Sequence, residues 1–126
     1  MQIQVGIISV SDRATQGVYD DAGGPALKEA AAGYGWEVVA EVVVPDEVRD
    51  IQRALREQVN KGCHLVLTTG GTGVAPRDVT PEAVREMAVR ELPGFGEVMR
   101  IESMKITPNA ILSRNLATVI DSALVI

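Results

Sequence analysis

A chain of 126 residues and 13.4 kDa holds one core of ordinary size, which excludes two independent domains. With 46% hydrophobic and 23% charged residues it lies outside the low-hydrophobicity range of disordered chains. A net charge of −5, with one Trp, one Phe and two Tyr, argues against nucleic acid or an anionic membrane as partner, because both need clustered Lys and Arg and single strands also need aromatic platforms.

The opening MQIQVGIISV lacks the basic stretch and small-residue cleavage site of a signal peptide, and its apolar run is far short of the ~20 residues that span a bilayer. Ile3 to Val10 instead predicts a β-branched strand covered on both faces. Asp21-Ala22-Gly23-Gly24-Pro25 predicts a helix start, followed by an apolar stripe of Leu27, Ala30, Ala31 and Tyr34 that Gly33 and Gly35 end. Trp36 to Val44 is the second predicted strand. Pro45 stops it and Asp46 opens a helix whose Val48, Ile51, Leu55 and Val59 share one face, with Arg49, Arg53 and Arg56 left in water until Gly62. The single cysteine, Cys63, and the single histidine, His64, form neither a disulfide framework nor a zinc cluster, and a reducing cytoplasm suits them. Both read as packing residues beside the third strand, His64 to Thr69.

Thr80 as N-cap, Pro81 in the first position and Glu82 at the positive dipole end predict the next helix. Leu92-Pro93-Gly94 breaks it, and Phe95, Val98, Met99 and Glu102 predict another to about residue 105. Met87, Met99 and Met104 read as core gap-fillers. Ala110 to Leu112 and Ala123 to Ile126 are the last predicted strands, and no repeat, low-complexity segment or long linker interrupts the chain.

A β-α-β-α-β order over the first seventy residues implies parallel strands with right-handed crossovers and helices on both faces. The C-terminal strand ends then share one edge, where open α/β sheets bind ligands. Three polar clusters fall there: Ser11-Asp12, Asp46, and the loop TTGGTGVAPRD from Thr68 to Asp78.

Consecutive glycines give a backbone that reaches positive φ and aims N–H groups at a ligand, and threonine hydroxyls add donors, so the loop suits an anion. It ends without Gly-Lys-Ser/Thr and fails the GxGxxG spacing, so it is neither a Walker A nor a dinucleotide fingerprint, and GGTG by itself also fits a tight turn. Asp78 has two readings. A magnesium-assisted phosphate site uses one or two carboxylates, whereas an Asx turn leading to Thr80 uses one for local geometry. Asp46 is either a second such carboxylate or an N-cap, and Asp12 either a ligand-facing group or a turn residue.

Taken together, ISVSDRATQG, VVPDE, LVLTTGGTGVAPRDVTPEA, ELPGFGEVMR and KITPNAILSR resemble the molybdopterin adenylyltransferases (MogA type) of molybdenum cofactor synthesis, and are similar to the G domains of gephyrin and its plant counterpart. The likeness runs in order from about Val5 to Arg114. It implies a three-layer α/β/α fold, with a mostly parallel sheet and one antiparallel edge strand, in a cytoplasmic homotrimer. The reaction it implies is transfer of AMP from MgATP to the terminal phosphate of molybdopterin with release of pyrophosphate, with hand-over to a molybdenum-inserting enzyme. The alternative is a non-catalytic molybdopterin-binding or scaffold domain of the MoaB type.

The same resemblance carries over Asp46 and Asp78 as the catalytic carboxylates, and placing Mg²⁺ on the ATP oxygens falls to this pair, with either one on the metal directly and the other orienting a water or a pterin group. It also carries over Ser11, Asp12, Gly70, Gly71, Thr72, Gly73, Ser113 and Arg114 as substrate-binding residues, to which the helix start at Thr80, Pro81 and Glu82 adds an N-terminus that suits phosphate. Family members continue past the last apolar strand with an Asn-Leu-Pro-Gly-type loop and further helix, so residues 1–126 are expected to form one molybdopterin-binding domain lacking its C-terminal segment.

Overall fold

The computed structural model describes residues 2–17 and 21–126. Strand β1 (Gln4–Val10) lies between β2 (Glu37–Val44) and β3 (Leu65–Thr69) and is parallel to both. Its β-branched run is explained by cover on two sides. Gly6 faces Gln58 and Cys63, and Ile8 and Val10 join a core with Ile51, Leu55 and Val84. Ser9 points the other way, donating to Asp21 at 2.7 Å beside Gly24. Helix α2 (Gly23–Gly33) therefore covers one face, and α3 (Val48–Asn60) with α4 (Thr80–Met87) the other. Ile8, Ile51, Leu55 and Val66 are fully buried, each contributing about 1.5–3 kcal/mol of transfer free energy.

The sheet has six strands in the order β2-β1-β3-β6-β5-β4, with β4 (Arg90–Glu91), β5 (Thr118–Ile120) and β6 (Ala123–Val125). It is mostly parallel, as expected, and the antiparallel pairing is confined to one end, where β5 runs against both β6 and β4. Chain order reverses at β1, which has β2 on one side and β3 on the other, so the C-terminal ends of these strands form the switch point that the first seventy residues predict. The four-residue α1 (Asp12–Thr15) follows β1 directly, and Ser11 caps it by accepting from Ala14 N–H at 3.1 Å.

Several expectations need correction. Ala110 to Leu112 is not a strand but part of a 3-10 turn, Pro108–Leu112, because Pro108 starts a tight turn and no sheet edge is in register with it. β4 and β5 are additional; β5 and β6 form a hairpin around Asp121-Ser122, with Asp121 at φ 53°. Tyr34 lies past the end of α2 and stacks on Trp36 (ring centroids 5.0 Å apart) instead of entering the core. α5 (Pro93–Met104) forms where predicted, but its Phe95, Val98, Met99, Ile101 and Met104 are exposed, so only Met87 of the three methionines packs on the core. Among the described residues, no helix is long and apolar enough to cross a membrane.

Candidate active site

The loop after β3 is bent by two residues that only glycine suits. Gly70 and Gly71 have φ of 94° and 69°, and a Cβ at Gly70 would collide with the Val10 carbonyl oxygen, one at Gly71 with the Thr80 hydroxyl. The turn brings the loop over the ends of β1 and β2, so Gly71 faces Asp46 and Gly73 faces Asp78 Oδ2.

The loop's carbonyls and amides are treated oppositely. The Gly70 carbonyl accepts from the Thr80 hydroxyl at 3.0 Å and that of Gly71 from Thr80 N–H at 3.1 Å. The Thr72 carbonyl accepts from Arg114 N–H at 2.7 Å and that of Gly73 from Arg114 Nε at 2.8 Å. Four successive acceptors are thus taken inside the protein, whereas the N–H groups of Gly71, Thr72, Gly73 and Val74 donate to no acceptor among the described residues. Thr72 and Ser113 hydroxyls meet at 3.4 Å beside this row. A run of amides left without an internal acceptor is available to an anion from outside.

Thr80 is the first residue of α4, preceded by Val79, and its hydroxyl turns back to the loop, so it does not cap the helix as the sequence predicts. Thr80 and Pro81 are buried. Glu82 is exposed and forms a two-pronged ion pair with Arg114, which also donates to the Asp78 carbonyl at 2.7 Å. This pairing, with desolvation opposing it, holds the Glu82 carboxyl below its ordinary range and raises the Arg114 guanidinium. Arg114 therefore straps the α4 start, the glycine loop and the segment after the 3-10 turn together.

Asp46 does not cap α3, which Glu47 precedes. Asp46 Oδ2 accepts from Asp12 N–H at 2.8 Å, and Asp46 N–H donates to Asp12 Oδ1 at 2.9 Å. Asp78 closes a turn, with Oδ2 accepting from Ala75 N–H at 3.0 Å and its N–H donating to the Ala75 carbonyl at 2.9 Å. The turn reading of Asp78 thus accounts for one oxygen. Oδ1 of Asp46 and of Asp78 each lack a donor among the described residues.

No group of three or more His, Cys, Asp or Glu among the described residues makes a protein-only metal site. Mg²⁺ that accompanies a polyphosphate takes only one or two protein carboxylates and completes its shell with phosphate and water, and a carboxylate oxygen without a donor, such as Oδ1 of Asp46 or of Asp78, is the kind of ligand it takes.

Arg77 and Glu47 also belong here, although sequence reasoning passed over them. The Arg77 guanidinium forks onto Asp12 (Nε–Oδ2 3.0 Å, Nη2–Oδ1 2.9 Å) and reaches Glu47 Oε1 with Nη1 at 2.8 Å. The Arg77 hydrogen bond is the main reason that the Asp12 carboxyl stays below the usual range. The only signal was position, Arg77 beside Asp78 and Glu47 beside Asp46. Thr69 and Gly70 line two cavities, one of about 210 Å³ with Thr72, Thr80 and Asn115, and one of about 250 Å³ with Ser11, Asp21 and Gly23. Of the expected site residues, Ser11, Gly70, Thr72 and Thr80 line these two cavities, Gly71, Gly73, Asp46 and Asp78 do not, and Glu82 and Arg114 brace the loop, whereas Cys63 and His64 lie at the opposite end of the sheet, where burial raises the Cys63 thiol and His64 Nδ1 accepts from Gln4 N–H.

Residues 6–125 match the family described as "Probable molybdopterin binding domain". The chain is 48% identical to the molybdopterin adenylyltransferase of Escherichia coli K12, covering 98% of this chain and 65% of that protein. It is 37% identical to gephyrin of Dictyostelium discoideum over 97% of this chain and 18% of that protein. The crystal structure of the molybdopterin biosynthesis enzyme MoaB from Thermus thermophilus superposes with a TM-score of 0.92 at 45% identity, covering 98% of this chain and 79% of the other. The chain thus spans just under two thirds of the length of the Escherichia coli relative.

Proposed function

This chain belongs to the molybdopterin-binding domain family, and from that premise we propose that it works as a molybdopterin adenylyltransferase of molybdenum cofactor biosynthesis. The reaction is transfer of AMP from ATP to the terminal phosphate of molybdopterin. A phosphate oxygen of the pterin attacks the α-phosphorus of ATP, the bond from that phosphorus to the bridging oxygen breaks, and pyrophosphate leaves. No protein nucleophile is needed, so the chain's work is to position two anions and to offset the charge that develops on the phosphoryl oxygens.

The observation that carries this reading is the row of amides from Gly71 to Val74, whose peptide carbonyls are all tied inward. These donors, with the Thr72 and Ser113 hydroxyls, receive phosphoryl oxygens. The two cavities that share Gly70 as a wall are the candidate seats of the two substrates. Asp46 and Asp78 present Oδ1 atoms for Mg²⁺, which when bound neutralises charge on the polyphosphate. Gly70 shapes the loop, Thr80 and Pro81 anchor it at the start of α4, and Glu82 holds Arg114 in place.

The homotrimer belongs to the same reading, and its support is the exposed apolar side of α5 together with Ile106, Ile111 and Leu112. Cytoplasmic location and hand-over of the product to a molybdenum-inserting enzyme follow from the reaction. The family description, a molybdopterin binding domain, favours one second reading, pterin binding without chemistry. Incubation of the protein with molybdopterin and MgATP decides between them. Adenylylated pterin and pyrophosphate in equal amounts are expected, whereas binding of molybdopterin without ATP-dependent turnover refutes the transferase and leaves the binding domain.

A further inference from the structure

We propose that Arg77 and Asp12 form a positioning clamp that sets the spacing between Asp46 and Asp78, and that Asp12 acts through this clamp and not as a substrate ligand. The inference rests on the transferase reading for its kinetic consequence only.

The Asp12 carboxylate has little left to offer a ligand. Oδ1 takes Asp46 N–H at 2.9 Å and Arg77 Nη2 at 2.9 Å, and Oδ2 takes Arg77 Nε at 3.0 Å. The same residue's N–H holds Asp46 Oδ2 at 2.8 Å. Asp12 is therefore bonded to Asp46 in both directions and to Arg77 by a fork, and Arg77 is covalently next to Asp78. The path from one candidate metal-placing carboxylate to the other runs through two reciprocal backbone contacts, one bidentate ion pair and one peptide unit. Glu47, adjacent to Asp46, takes the third prong at 2.8 Å and fixes the plane of the guanidinium.

Stability alone does not account for this arrangement. The Arg77 side chain is 56% exposed, and exposed ion pairs contribute little to folding. A planar fork instead fixes direction, which an ammonium does not reproduce. The loop from Val74 to Arg77 is exposed, and among the described residues Arg77 alone in it has a side-chain bond to the β1 and β2 ends.

The test uses Arg77→Gln, Arg77→Lys and Glu47→Gln in the protein, read by steady-state adenylyl transfer from MgATP to molybdopterin and by amide hydrogen exchange. A displacement of catalytic groups by about 1 Å costs about 100-fold, so Arg77→Gln is expected to lower kcat by about 100-fold with KM for MgATP changed less than about threefold. Exchange should quicken together at the Asp12, Asp46 and Asp78 amides while the Ile8 and Val66 amides stay unchanged. Arg77→Lys, which keeps the charge and loses the fork, should remain impaired by more than about tenfold, and Glu47→Gln by about threefold. Full activity in Arg77→Lys would assign the effect to charge and overturn the clamp, as would Arg77→Gln with wild-type kcat. If the wild-type protein shows no transfer at all, the transferase reading fails, and linked exchange at the three aspartate amides still decides whether the clamp exists.

Discussion

The rim around Gly71 and the outer side of α5 are built from opposite materials. At the rim nearly every polar group has a named partner: carbonyls tied to Thr80 and Arg114, Asp12 tied to Asp46 and Arg77, Glu82 tied to Arg114. On α5 the exposed apolar groups are Phe95, Val98, Met99, Ile101 and Met104, and Ile106 just beyond is 89% exposed. The first region completes itself, except for one row of amides and two carboxylate oxygens. The second leaves apolar area that the described residues do not use. A self-completed polar region announces its ligand by what it leaves over, whereas an uncovered apolar region announces only that something apolar belongs against it.

Four substitutions sharpen this contrast, in falling order of effect. Asp78→Asn removes the charge that faces the amide row, and kcat for pyrophosphate release should fall by about 100- to 1,000-fold, equivalent to about 2.7–4 kcal/mol, while the circular dichroism spectrum is unchanged. Gly71→Ala adds a methyl group at φ 69° against Thr80. Chemical denaturation should show a loss of about 2–3 kcal/mol, from the left-handed strain and the crowding together.

Glu82→Gln breaks the ion pair with Arg114 and should cost at most about 1 kcal/mol, because both partners are open to solvent screening, Arg114 at 37% and Glu82 at 50% side-chain exposure. Its pH dependence has a definite sign. The native Glu82 pKa lies below the ordinary 4.5, so the wild-type advantage is complete above that pH and is lost as pH falls through the lowered native value. Unfolding curves of the two proteins should converge in acid. Ile106→Lys is the control from the other region: a change within about 0.5 kcal/mol is expected, and a loss above 2 kcal/mol would mean that Ile106 is covered in solution.

Legibility in the sequence followed the same divide. Ile3 to Val10 could be read as a doubly covered strand because no polar side chain interrupts Val5 to Ile8, and Ile51 and Leu55 could be placed by their spacing alone. The glycine loop showed itself through composition. Its carbonyl partners did not, since Thr80 as anchor instead of cap and Arg114 as a strap depend on contacts 10 and 41 residues apart. Arg77 was hidden for the same reason, as its fork spans 65 residues and an exposed arginine carries no periodic signal. The β5–β6 hairpin was foreshadowed by Asp121-Ser122 between Ile120 and Ala123, but a three-residue strand is too short for alternation to register. Met99 and Met104 misled because helical spacing marks an apolar side without saying whether the chain itself covers it.

The tethering of four successive loop carbonyls has a thermodynamic consequence for ligand capture. Because the strand ends, the α4 start and Arg114 already hold that backbone, the entropy of shaping the cradle is spent during folding and not on encounter. Phosphate recognition should then proceed in a single kinetic phase, at a rate that scales linearly with ligand concentration and shows no plateau from a slow isomerisation.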